Sequence, residues 1–111
     1  MSKALKLQIV EQARAFIADE QSWSRWHLAT DRSGVAVLPT SDRTVRRCGL
    51  GAVIAAAYQL THDFDAAHDL GHKALRPRYA PATLIHVNDA RGHAAVLALF
   101  DEVIAVDAPS G

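Results

Sequence analysis

Three groups of residues in this sequence have the types and spacing to do chemistry. Cys48 is the only cysteine and follows Arg46 and Arg47. A thiol in the first turns of a helix, beside two cations, is pushed toward the nucleophilic thiolate. His86, His93 or His27 could act as its base and Asn88 could orient that base, so Cys48, His86 and Asn88 form a candidate Cys–His–Asn catalytic set. Such groups meet only in the fold, and their spacing decides nothing. The competing reading is packing: cysteine is among the most buried residue types, and this one opens the most apolar stretch of the chain. The packing reading leads.

The run His62–His72 carries the second group. On a helix, Asp65, His68, Asp69 and His72 fall within roughly 100° of one another. His68 and His72 have the i,i+4 spacing that lets two imidazoles share one metal ion, with Asp65 as a third ligand. The position after His68 holds Asp69, not the Glu that metalloprotease helices use as a base. The plainer reading is a solvated face opposite a good apolar one. The third group is Arg43, Arg46 and Arg47, which at a helix start could hold an anion together with free backbone N–H groups. Asp31 and Asp42 are placed to neutralise them instead.

The elements that must position these residues are mostly helical. Leu5, Ile9, Ala13, Phe16 and Ile17 make one apolar stripe and predict a helix over about 3–19. Residues 20–42 break that period. Asp31-Arg32-Ser33-Gly34 is turn chemistry, which suggests a short hairpin or an irregular loop pair, about Trp26–Thr30 and Val35–Leu38, inside an insertion at about 23–40. Trp23 and Trp26 are expected to fasten it to the core. A second helix is expected from Asp42 as cap through about 43–60. From Val45 it is apolar nearly all round, which belongs at the centre of the domain. Gly49 and Gly51 suggest close approach of a neighbouring element. A third helix is expected at about 64–75 and an irregular or extended link through Tyr79–Val87. The last helix should start at Asn88 or Asp89 acting as cap, before a frayed tail at 107–111.

Composition bounds the rest. Of 111 residues, half are apolar and 22% are charged, with Lys+Arg and Asp+Glu at 12 each. That is a globular composition with room for a single domain over 1–111, and it lacks the field that draws in nucleic acid or an anionic membrane. One cysteine excludes an internal disulfide and a cysteine-built zinc site. No cofactor is called for, and a reducing cytoplasm is the expected setting. The fold class is mainly α, about four helices around a central apolar one, with α+β as the alternative.

The segment Arg47-Cys48-Gly49-Leu50-Gly51-Ala52, the Gln21-Ser22-Trp23 segment, Val87-Asn88-Asp89 and the helix Ala95–Asp101 together resemble a family of small bacterial and phage proteins known only as a domain of unknown function. The resemblance runs from about Ile9 to Ile104, and its most specific steps are Cys48-x-x-Gly51-Ala52 and Asn88-Asp89. It supports the fold and implies no activity. The leading expectation is a non-enzymatic accessory or interaction domain, with a protein partner or a second copy binding around Trp23, Trp26 and Tyr79. The alternatives are a Cys48-dependent enzyme and a metal-binding module on Asp65, His68 and His72.

Overall fold

The computed structural model describes residues 1–108, so Pro109–Gly111 of the expected tail lie outside the described residues. Helix α1 (Lys3–Phe16) opens with the Ser2 hydroxyl accepting the Leu5 N–H at 3.1 Å and buries Ile9, Val10 and Ala13. It stops three residues before the expected end. Asp19 caps a separate 3-10 turn, Glu20–Ser22, by accepting the Gln21 N–H at 2.9 Å. Such a local carboxylate bond competes with helix continuation.

Of the two forms expected here, the irregular loop pair is nearer: the two arms meet in a single bridge, Thr30 to Ala36, around the Asp31 turn. The regular pairing is instead between β1 (Ala29–Thr30) and β2 (Arg46–Arg47), antiparallel, with Ala29 opposite Arg47. This overturns the expected start of the central helix. Residues 42–47 are turn and strand, with the Val45 N–H donating to Thr30 C=O at 3.0 Å and the Cys48 N–H to Leu28 C=O at 3.1 Å. Pairing of this backbone with β1 outweighs local helix propensity. Helix α2 therefore spans Gly49–Thr61, with Cys48 rather than Asp42 as its cap.

The centrality of α2 stands. Every residue from Gly49 to Ala57 is buried, and Leu50, Val53 and Ile54 among them join one cluster with Ile9, Ile17, Leu84, Val96 and Phe100. Helix α3 (Phe64–Lys73) packs on α2 through Gly71, where a Cβ would sit 2.6 Å from Ile54 Cγ1. The stretch read as an irregular link contains α4 (Pro81–His86), begun by a proline whose fixed φ suits the first helical turn. A five-residue π segment, Val87–Arg91, follows, and Gly92 at φ +99° turns the chain into α5 (His93–Asp107). Asn88 and Asp89 thus do not cap the last helix; they lie in the π segment before it. The result is mainly α with five α-helices and a small two-stranded sheet among the described residues. No helix among them is long and apolar enough to cross a membrane.

Candidate functional site

Asn88 is fully buried, and all four of its side-chain hydrogen-bonding positions are filled. Its Oδ1 accepts the Trp23 Nε1–H at 2.7 Å and the Gly49 N–H at 2.9 Å. Its Nδ2 donates to the Ser24 carbonyl at 3.0 Å and to Asp89 Oδ1 at 2.9 Å. One amide therefore ties the 23–26 loop, the first turn of α2 and the π segment together, and a fully satisfied buried polar group fixes such a junction in one arrangement. Instead of capping the last helix as expected, Asn88 takes an orphan N–H of α2.

Asp89 extends the junction outward, its Oδ1 accepting the Trp26 backbone N–H at 3.0 Å. Trp26 has φ +76°, in the left-handed region that costs a bulky side chain about 1–2 kcal/mol. Its side chain is 71% exposed, which corrects the expectation that it packs in the core. Trp23 behaves as expected. It is half-buried, bonded to Asn88 and 5.5 Å from the His93 ring between centroids.

Between these parts lies a depression of about 160 Å³ lined by Trp26, His27, Leu28, Cys48, Ile85 and Asp89. Its wall is kept close by Gly51, where a Cβ would fall 1.9 Å from the Leu28 carbonyl oxygen. A larger hollow of about 330 Å³ beside α1 and α2 is lined by Gln8, Glu11, Gln12 and Gln59, which offer neither a nucleophile nor an imidazole.

Cys48 is only 5% exposed, and its Sγ accepts the Gly51 N–H at 3.3 Å. Burial pushes the thiol pKa up, the nearby Asp89 charge adds to this, and the backbone N–H groups of α2 oppose it. The sulfur is thus held toward its neutral form. Of the histidines considered as its base, His27 shares the depression with it. His93 donates from Nε2 to Ile17 C=O at 2.6 Å, and His86 sits exposed at the end of α4. Asn88 makes its bonds to Trp23, Ser24, Gly49 and Asp89, none of them to an imidazole.

The three arginines are not at a helix start. Arg46 and Arg47 are neighbours on β2, where successive side chains point to opposite faces. Arg46 Nε donates to Gln21 C=O at 3.1 Å. Arg47 Nε donates to Pro39 C=O at 3.0 Å and lies 4.5 Å from the Phe16 ring centre, and burial lowers its pKa. Arg43 borders a shallow surface hollow beside Asp31 and Asp42. On α3 the expected spacing is present, but His72 Nδ1–H donates to the His68 carbonyl at 2.7 Å. The His68 ring lies 4.3 Å from that of Phe64, and Asp69 pairs with Lys73 at 3.0 Å. Among the described residues no three His, Cys, Asp or Glu side chains gather to hold a metal.

Sequence reasoning missed Asp89 as the group that fixes Trp26. No local signal announces it, because the two residues are 63 positions apart. Residues 1–106 match the model of a family described as a family of unknown function (DUF6197). No curated protein and no solved structure matches the chain.

Proposed function

The chain belongs to this family of unknown function, which brings no activity with it, and from the geometry we propose that it is a protein-interaction domain. Its recognition surface is the depression bordered by Trp26, Leu28 and Ile85, which takes an apolar side chain from an extended segment of a partner protein. One observation carries this reading: an exposed tryptophan is held in a strained backbone conformation by a carboxylate that is itself anchored to a buried asparagine. Strain of this kind persists where the surroundings over-determine it, and rigid aromatic anchors beside small pockets dominate binding energy at interfaces. The π segment under the depression supports the reading too, since such segments gather at functional sites.

The test is selection of a phage-displayed random peptide library on the immobilised protein. Selected peptides should share an apolar anchor residue and lose at least about tenfold in affinity against Trp26→Ala, a loss of the size expected for an interface anchor. Peptides that bind wild type and Trp26→Ala equally, or no enrichment at all, would remove the reading. A second reading, thiol chemistry by Cys48 with His27 and Asp89, has their shared depression in its favour. The burial that raises the thiol pKa opposes it.

A further inference from the structure

The backbone of the insertion leaves an unpaired edge beside β1. Val35–Leu38 runs along the outer side of β1, with Val37 N–H donating to Ala29 C=O at 3.1 Å and Asp31 N–H to Val35 C=O at 2.9 Å. Between these two bonds lies the antiparallel bridge of Thr30 with Ala36. Facing residues flanked in this way direct their own N–H and C=O groups away from each other. Those of Thr30 point to β2, where its carbonyl accepts the Val45 N–H at 3.0 Å. Those of Ala36 therefore point outward, and neither has a partner among the described residues.

Two more groups on this edge have no partner among the described residues, the Leu38 N–H and the Gly34 C=O. Their counterparts are occupied: Leu38 C=O accepts the Ser41 N–H at 3.0 Å, and Gly34 N–H donates to Asp31 C=O at 3.1 Å. The pattern complements itself. In an antiparallel pairing of two such edges about a two-fold axis at Ala36, each Ala36 faces Ala36 of the second copy and the pair exchanges both N–H···O bonds. Leu38 then faces Gly34 of the second copy, so the free donor meets the free acceptor, while the groups already bonded within each chain need nothing.

The side chains agree. In this register Val35 lies opposite Val37 of the second copy, and β-branched cross-strand pairs are favourable. Val35 and Leu38 are 59% and 56% exposed. No charge or proline lies within the run, although those are the usual protections of an exposed edge. The formal net charge of zero leaves no long-range repulsion between copies. We propose that the Gly34–Leu38 edge is a homodimerisation site, joining two copies of this chain by antiparallel strand pairing centred on Ala36.

Sedimentation velocity over a concentration series, with amide hydrogen exchange of Ala36 on the same samples, tests this. The expected result is a reversible monomer–dimer equilibrium in which the Ala36 N–H becomes protected as concentration rises. Val35→Lys, at an exposed position, and Ala36→Pro, which removes the donor, should each raise the dimer dissociation constant about tenfold or more. Trp26→Ala should leave the dimer unchanged, so failure of the depression reading and failure of this one are separable. A monomer at all concentrations up to about 1 mM, the range of weak association, overturns the proposal. So does a dimer whose Ala36 amide exchanges at a rate independent of concentration, or one that Val35→Lys leaves intact.

Discussion

Asp89 Oδ1 accepts the backbone N–H of Trp26 at 3.0 Å and also takes a hydrogen from Asn88 Nδ2 at 2.9 Å, so the exposed indole is linked through two side chains to the buried end of α2. The conformation of a surface residue is thereby set from inside the core. A glycine would adopt φ +76° without strain, and the Trp26 side chain contributes little burial.

Trp26→Gly should accordingly raise stability by about 1 kcal/mol in chemical denaturation, by relief of left-handed strain, while abolishing peptide binding at the depression. Lower stability in that variant would mean that the indole packs for structural reasons. His62, at φ +51° at the end of α2, is the control. His62→Gly should give a similar gain with binding unchanged, since a left-handed residue there is an ordinary helix ending.

Asn88→Ala should destabilise the protein by about 3 kcal/mol or more, because it leaves the Trp23 Nε1–H, the Gly49 N–H and the Ser24 carbonyl without partners in a buried site. Denaturant unfolding measures the loss, and the Trp23 emission of the folded variant should shift as its indole hydrogen bond disappears. A loss under about 1 kcal/mol would return Asn88 to the role of a simple cap.

Iodoacetamide should label native Cys48 slowly at neutral pH and rapidly once the chain is unfolded, because burial both covers the sulfur and raises its pKa. The native rate should stay low through the ordinary thiol value near about 8.5. Cys48→Ser should stay within about 1 kcal/mol of wild type, its hydroxyl taking the Gly51 N–H in place of the sulfur. Fast labelling with a midpoint well below 8.5 would favour the thiol-chemistry reading.

Glu102 supplies a pH-dependent link between α5 and the segment after α3. It accepts from Arg78 and from the Tyr79 hydroxyl, and these bonds, Arg78 first, hold its carboxyl below the usual glutamate value. A carboxyl depressed in the folded state stabilises above its unfolded pKa, near about 4.3. It loses that contribution as pH falls through the lower folded value. The Tm of wild type should therefore exceed that of Glu102→Gln at pH 6 and converge with it as the solution is acidified. A difference that persists unchanged to pH 2 would show that Glu102 acts by packing.

Gly51→Ala should cost about 3 kcal/mol or more, since its Cβ would meet the backbone carbonyl of Leu28 at 1.9 Å, and that carbonyl is held by the Cys48 N–H just before β1. A fold that accommodates it would do so by moving Leu28, with loss of peptide binding as the accompanying readout. Thermal unfolding with the peptide assay separates this outcome from a neutral substitution.

The sequence by itself determined that the chain is mainly helical, that α1 and α3 are amphipathic, and that the apolar stretch around Ile54 is the hub. These follow from the 3.6-residue period and from how much apolar surface each segment must bury, and both are local properties. The glycines Gly49 and Gly51 were also legible as points of close approach. Only the tertiary structure decided that residues 42–47 form a turn and the strand β2 paired with β1 rather than begin α2, that the Asn88 side chain takes an N–H of a helix thirty-nine residues earlier, and that Trp26 faces solvent. Each of these depends on backbone or amide hydrogen bonds between segments far apart in the chain. Such bonds leave no periodicity to read, and they are worth forming only once burial of the hub has removed water from the competing partners.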